Sequence, residues 1–401
     1  MSTEPLASES DGDLVRRWTL DPAVTYLNHG AFGACPREVL EVHAEWTARL
    51  EREPVRFFTG ELERRLDQVR DEVGRFVGAE PADLVFVPNA TTGVNTVLAS
   101  FPFEPGDEIL VTDHGYIACL NAASHWVARA GARVATARVP FPVRASGDVV
   151  EAVLARVTPR TRLALVDHVT SPTGLVFPVA ELVRELASRG VETLIDGAHG
   201  PGMLPLDVRA LGAAYYTGNF HKWCCAPKSA AFLWVRRDLQ ARTRPLAISH
   251  AASATREGRS RFLLEFDWTG TSDVTAVLSV PAALAFLSRL LPGGASELCA
   301  RNRALALEAR RLLASSLGTA PPCPDEMIGS LAAVLFPEAT PRAPLPDELH
   351  EKLEREHGIQ VPIVAWPGRP SGFVRVAAQA YNRVAQFEKL ANALRVELGL
   401  G

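Results

Sequence analysis

Between Leu84 and Val235 the chain alternates short apolar runs with longer stretches of helical spacing. The runs over Leu84–Val87, Glu108–Thr112, Ala132–Thr136, Arg162–Asp167, Val191–Asp196, Ala213–Thr217 and Ser229–Val235 are too short and too continuously apolar for helices, and read as buried strands. Between them, apolar positions three and four apart predict helices over Thr92–Ser100, Asn121–Ala130 and Val179–Arg189, with Gly190 placed to stop the last. Upstream, Tyr26–Gly33 reads as a glycine-bearing loop. Pro36 then opens a helix bearing Val39, Leu40, His43, Trp46 and Leu50, and Pro54–Phe58 interrupts it. Leu62, Leu66, Val69, Val73 and Phe76 mark one face of a second helix over Gly60–Val77. Strands alternating with helices predict an α/β domain with a mostly parallel, seven-stranded sheet.

After Asp273 the pattern changes. Helical spacing over Val274–Leu290 and Glu297–Ser316 precedes a strand-like Ser330–Phe336, a helix over Asp347–His357, strands over Ile359–Val364 and Phe373–Ala377, and a last helix over Val384–Leu398. Helices beside a small sheet predict a second, α+β domain. The expected division is a tail over residues 1–25, a large domain over 26–270 and a small domain over 271–401. The proline-rich stretches Pro321–Pro324 and Pro337–Pro346 read as loops.

Composition narrows this picture without redirecting it. The chain has 401 residues, 47% of them hydrophobic, which is ample for a core. A net charge of −4 gives no electrostatic footprint for nucleic acid or an anionic membrane. No apolar run is long enough to span a bilayer. The polar, acidic start, Met1–Ser10, reads as a frayed tail and lacks the basic start and apolar core of a signal peptide. The six cysteines are scattered without a C-x-x-C pair, so a cytoplasmic protein with free thiols is expected, with Cys224 and Cys225 as packing residues and no metal site.

Sheets of this kind bind ligands at the carboxyl ends of their strands. Asn89–Thr92, Asp113–Tyr116, Ser171, Asp196 and Lys222 all fall at or just after predicted strand ends, so one edge of one sheet should collect them. A lysine on a turn is ordinarily a solvated charge. Asp196, ending the neighbouring strand, changes that reading. A lysine to hold an aldehyde covalently and a carboxylate to keep a pyridine nitrogen protonated are what pyridoxal phosphate chemistry needs.

The segments D-G-A-H-G (Asp196–Gly200) and G-N-F-H-K-W (Gly218–Trp223) resemble the class V aminotransferase family of fold type I pyridoxal phosphate enzymes, and within it the isopenicillin N epimerase-like branch. The resemblance implies a fold type I architecture with pyridoxal 5'-phosphate as cofactor, Lys222 as its covalent anchor and Asp196 as the pyridine partner. It implies a phosphate cradle of Ala90, Thr91 and Thr92, which the residues alone allow to be a plain helix cap, with Asn219 and His221 as further contacts. Gly270-Thr271 matches a segment that reaches the phosphate from a partner subunit, so a homodimer with composite sites is expected. An aromatic ring is expected on the cofactor face opposite the lysine, assigned to Tyr116 with His114 as the alternative. Ser171 and His199 are placed near the cofactor's ring oxygen, although Thr170-Ser171 departs from the asparagine common in desulfurases. Arg375, in Gly372–Asn382, matches the substrate-carboxylate arginine, with a structural salt bridge as the alternative, and Asn28, His29 and Arg56 are placed at the substrate mouth.

Once freed, the Lys222 amine is a base for the α-proton of an amino acid or amino-acid-containing peptide. Reprotonation on the other face would be epimerisation, loss of a β leaving group a C–S lyase reaction, and reprotonation at the cofactor a transamination. Persulfide-forming desulfurases of this family carry a nucleophilic cysteine in the loop before the carboxylate arginine. Pro324–Gly401 contains no cysteine, which argues against that reaction. An amino-acid epimerase is therefore the leading expectation and a C–S lyase the alternative, with Tyr116 or His114 as the second acid–base group. A catalytically silent binding module is disfavoured by the intact Asp196, His199, Lys222 and Arg375. A dinucleotide-binding dehydrogenase is disfavoured by the missing G-x-G-x-x-G.

Overall fold

The protein is described from a computed structural model covering residues 14–338, 345–367 and 369–400. The tail read over Met1–Ser10 and most of the Pro337–Pro346 loop lie outside the described residues. In chain order the strands are β1 (Thr25–Tyr26), β2 (Leu84–Val87), β3 (Glu108–Thr112), β4 (Arg133–Ala137), β5 (Thr161–Asp167), β6 (Glu192–Gly197), β7 (Tyr215–Asn219), β8 (Ala231–Val235), β9 (Leu331–Leu335), β10 (Ile359–Gln360), β11 (Ile363–Trp366) and β12 (Arg369–Ala377). Seven of them form one sheet in the order β2-β8-β7-β6-β5-β3-β4. Only β8 runs against its neighbours, so the other six share one direction and one carboxyl edge.

The central strands are apolar throughout because helices cover both faces of the sheet. Every residue of β3, β7 and β8 is buried. Full burial of one such Val or Leu side chain contributes about 1.5–3 kcal/mol, so a polar residue survives in these strands only where a partner awaits it. The covering helices bury the stripes that their spacing predicts. Val179, Leu182, Val183 and Leu186 of helix Val179–Ala187 are buried, as are Leu62, Leu66, Val69, Val73 and Val77 of helix Leu62–Val77. In helix Arg37–Arg52, Val39 and Leu50 are buried while Leu40 is turned to solvent.

Beyond this layer β9, β11 and β12 make a three-stranded antiparallel sheet with β12 in the middle. It packs on helix Gly294–Leu317, which in turn meets helix Val384–Glu397. The start of the described chain does not behave as the expected tail over residues 1–25. Leu14 and Trp18 are buried, and Trp18 packs edge-on against Phe286 and Tyr381. β1 pairs in parallel with β10, and the Leu27 carbonyl accepts from the Ala377 N–H at 2.9 Å. Backbone pairing thus ties Thr25–Leu27 to the C-terminal strands, although the expected division places Tyr26 and Leu27 with the large sheet. Two helices over Ser146–Leu154 and Arg261–Asp267 have no counterpart in the sequence expectations.

Candidate active site

A cavity of about 540 Å³ opens at the shared carboxyl edge of the large sheet. It is lined by Lys222, His221 and Asn219 after or at the end of β7, by Asp196, Ala198 and His199 of β6 and its turn, and by Asp167 and Ser171 of β5 and its loop. Tyr116, from the loop after β3, and Asn89–Thr92, after β2, complete the polar lining. Residues from strands far apart in sequence meet here because parallel strands end together.

At one end of the cavity helix Ala90–Ser100 begins. Asn89 caps it, its Oδ1 accepting from the Thr92 N–H at 2.8 Å and the Thr92 hydroxyl at 3.1 Å. Asn219 Oδ1 accepts from the Ala90 N–H at 2.8 Å. The Gly93 N–H bonds the Asn89 carbonyl, which leaves the Thr91 N–H as the first-turn donor without a protein acceptor among the described residues. A helix start with a spare N–H and threonine hydroxyls suits an anion. His221 stands beside it, with Nδ1–H donating to the Ala230 carbonyl at 3.1 Å and Nε2 left over. Burial, with Lys222 next to it, pushes His221 down to about 4.

Two carboxyls line the cavity from β6 and β5. Asp167 and Asp196 are partners in the β5–β6 register, so their side chains share one face of the sheet. Asp196 accepts from the Ala198 N–H at 3.0 Å and from the Cys119 thiol at 3.1 Å. Burial first and the Asp196 charge second raise the Asp167 carboxyl well above the usual carboxylate range. Burial and Asp196 also drive the Cys119 thiol upward, so it serves as a neutral donor. Asp167 and Cys119 were not singled out from the sequence. Asp167 was legible only as the last residue of a strand, and Cys119 sits in helix Ile117–Arg129 with no motif around it.

The lysine follows β7, between the helix start and the two carboxyls in strand order. Lys222 Nζ lies 3.2 Å from His199 Nε2, and His199 Nδ1 accepts from the Trp223 indole N–H at 3.1 Å. Burial lowers the Lys222 amine to about 8, with Asp196 opposing the shift and Arg375 adding to it. His199 falls well below its ordinary range, through burial first and the Lys222 charge second. The glycine loop expected at Tyr26–Gly33 folds partly into a short helix, His29–Phe32, whose end rests on the lysine backbone. Gly33 has φ +70°, and a Cβ there would lie 1.9 Å from the His221 carbonyl, so glycine is required.

Arg375, on the central strand β12, donates to the Ser171 carbonyl and, at 3.4 Å, reaches Asn28 Oδ1. It is buried, its Nε has no partner, and no carboxylate pairs it among the described residues, so the salt-bridge alternative finds no support. Burial lowers it to about 10. A buried guanidinium without an anion is costly unless a ligand supplies one.

Four expected residues are placed elsewhere. His114 is wholly buried, with Nε2–H donating to the Val139 carbonyl at 3.2 Å and Nδ1 accepting from Thr173 Oγ1 at 2.8 Å, packed among Phe141, Phe177 and Trp366. Both nitrogens are engaged away from the cavity, which leaves Tyr116 as the aromatic residue of the pair in the lining. His29 is also wholly buried, bonding the Tyr381 hydroxyl at 2.7 Å and the Lys222 carbonyl at 2.9 Å, and so braces the lysine from behind rather than lining a mouth. Arg56 is exposed, pairs with Glu53 and lies on a separate surface groove. Thr271 is exposed and outside its own chain's cavity. The aldehyde-reactive amine, the buried carboxylates, the spare helix-start donor and the unpaired guanidinium fit the cofactor and carboxylate substrate expected from the sequence.

The sequence model of the family described as Aminotransferase class-V matches residues 25–361. Among curated proteins, the isopenicillin N epimerase of Streptomyces clavuligerus is 33% identical over 94% of this chain and 96% of its own length. A probable chloroplastic L-cysteine desulfhydrase of Arabidopsis thaliana is 32% identical over 93% of this chain and 83% of its own length. Among solved structures, the apo cysteine desulfurase from Thermococcus onnurineus superposes with a TM-score of 0.80 at 18% identity, covering 99% of this chain and 100% of that one.

Proposed function

Because the chain belongs to the class V aminotransferase family, we propose that it is an enzyme that uses Lys222 to remove the α-proton of an amino acid or amino-acid-containing peptide, and that its outcome is epimerisation. The cofactor is pyridoxal 5'-phosphate, which when bound supplies the sink for the electron pair left on the α-carbon. Asn219, His221 and the start of helix Ala90–Ser100 would hold its phosphate, Asp196 its pyridine nitrogen and Lys222 its aldehyde. The observation that carries the reading is the Lys222 amine, enclosed, lowered to about 8 and 3.2 Å from His199 Nε2, a base matched to proton removal near neutral pH. Arg375 takes the substrate carboxylate, which replaces its missing anion and fixes the α-carbon beside Lys222.

Epimerisation needs a second proton-transfer group. In strand order Lys222 follows β7 and Tyr116 follows β3, with Asp196 and Asp167 on β6 and β5 between them. Lys222 therefore takes the proton from one side, and the Tyr116 hydroxyl returns one from the other. The withdrawal of His114 from the cavity favours a second reading, a C–S lyase. A site with one partly buried base and a half-exposed phenol has what β-elimination requires, with Tyr116 protonating the departing sulfur. A second copy of the chain completes the site in either reading, bringing the exposed Thr271 to the phosphate.

Proton NMR in D₂O, with the cofactor-loaded enzyme and a panel containing isopenicillin N, cysteine and cysteine conjugates, tests both readings. Epimerisation exchanges the α-proton and yields the other epimer with its skeleton intact. Elimination yields a keto acid and a released sulfur species. No α-proton exchange with any member of the panel would count against the epimerase.

A further inference from the structure

Trp223 directly follows Lys222, and the role assigned to it rests on Lys222 as the reactive amine. Trp223 is wholly buried with Val169, Met203, Leu331 and Ala377, and its N–H is aimed at His199 Nδ1 across 3.1 Å. An indole N–H can only donate. His199 Nδ1 must therefore be a lone pair, and the single proton of the neutral ring must sit on Nε2. Nε2 is 3.2 Å from Lys222 Nζ. An Nε2–H facing an amine is satisfied only if the amine offers its own lone pair, because an ammonium has none. The opposite arrangement, an ammonium donating to Nε2, would move the ring proton to Nδ1, where it would face the indole N–H. A doubly protonated His199 meets the same clash.

We propose that Trp223 is a positioning residue for the reaction, which fixes the proton of His199 on Nε2 and so biases Lys222 toward the free amine. One side of the arrangement is packed and the other lines the cavity. Gly30 lies against it so closely that a Cβ there would sit 3.5 Å from His199 Cε1 and 3.4 Å from Trp223 Cζ2. The charged and titratable groups that bear on Lys222 and His199 are Asp196 on β6, Asp167 on β5, Arg375 on β12, Cys119 on helix Ile117–Arg129, and His29 and His221. The Asp196 charge favours the ammonium and Arg375 disfavours it, while Asp167 and Cys119 keep their protons and carry no charge. The indole acts with burial and Arg375 against the pull of Asp196. It does so without adding a charge.

The chain has four lysines, Lys222, Lys228, Lys352 and Lys389, so full-length protein labelled with ¹³C at the lysine ε-carbon gives few enough signals to follow one by one. Lys222→Arg identifies the relevant signal. The Lys222 signal is expected to titrate near 8, and ¹⁵N spectra of His199 to show the Nε2–H tautomer. In Trp223→Phe the ring can carry its proton on Nδ1 and accept from an ammonium, so the Lys222 midpoint should rise by about one pH unit, leaving about tenfold less free amine at pH 7. If Trp223→Phe fails to fold, replacing Trp223 with β-(3-benzothienyl)alanine keeps the ring shape and removes only the N–H. An unchanged Lys222 midpoint together with an unchanged His199 tautomer in either folded variant overturns the proposal. These signals need no cofactor. Failure of Lys222 to react with pyridoxal phosphate would therefore strike the enzyme reading separately from this one.

Discussion

Lys222 is the residue on which the chemistry turns, and removing it should be decisive. Lys222→Ala is expected to lose the visible absorbance of lysine-bound pyridoxal phosphate and at least about a hundredfold in turnover, since a positioned general base contributes about 10²–10⁴. Wild-type turnover measured across the pH scale would sink this assignment if Lys222→Ala matched it. Arg375 predicts a different signature. Its fork lacks an anion, so Arg375→Lys should raise KM for a carboxylate substrate by roughly tenfold or more, in line with about 1.5–3 kcal/mol for a charge-assisted hydrogen bond, while kcat changes less. Steady-state kinetics separate the two parameters. At Asp167 the carboxyl is raised in the folded state above its unfolded value. The stability that this protonated group contributes is present below the unfolded value and is lost as pH rises through the folded one. Asp167→Asn keeps a neutral group there, so the cofactor-free variant should lose less melting temperature than wild type between acid and alkaline pH. A parallel loss in both proteins would mean that Asp167 is not the protonated partner.

Among the elements, helix Ala90–Ser100 combines structure with binding. Asn89 satisfies the Thr92 N–H and hydroxyl, and Asn219 satisfies Ala90, so two asparagines hold the turn that carries the spare donor at Thr91. Asn89→Ala should cost about 1 kcal/mol of stability, the usual worth of such a cap. It should also weaken pyridoxal phosphate binding more than pyridoxal binding, because only the former carries the anion. Equal weakening of both ligands would show that this helix start does not hold the phosphate. The helices and strands of the large sheet were legible to within a few residues because burial on both faces writes near-continuous apolar runs. β3 begins and ends where the apolar run does. Helix Ser146–Leu154 escaped because its stripe is short, with Val149, Val150 and Val153 its buried residues. The β1–β10 pair escaped for another reason. Two-residue strands have no period to read, and their partner lies across most of the chain.

For the whole molecule the proposed composite site gives a sharp test. Thr271 is exposed and outside its own chain's cavity, so its part in phosphate binding depends on a second copy. Lys222→Ala and Thr271→Arg chains, each inactive alone, should recover activity when assembled as hybrids. A two-fold arrangement gives every hybrid one intact site, about half the wild-type complement. No recovery from mixed, verified hybrids would remove Thr271 from the site. Among the described residues no single helix is long and apolar enough to cross a membrane.

The sequence by itself determined the alternation of strands and helices, the parallel sheet, and the carboxyl edge on which Asp196 and Lys222 meet. These follow from local periodicity and from the rule that parallel strands end together. It also supplied the type of chemistry, since an acidic residue and a lysine closing neighbouring strands are short-range features. Tertiary structure alone decided which histidines face the cavity. His29, His114 and His199 look alike in the sequence, yet the first two have both ring nitrogens engaged within the packed interior and, of the three, His199 is the one that meets the Lys222 amine. It likewise decided that Arg375 has no acidic partner among the described residues, that Asp167 stands beside Asp196, and that Trp223 reaches back to His199. Each of these depends on contacts between residues distant in the chain or on the direction of one side chain, and neither leaves a periodic trace.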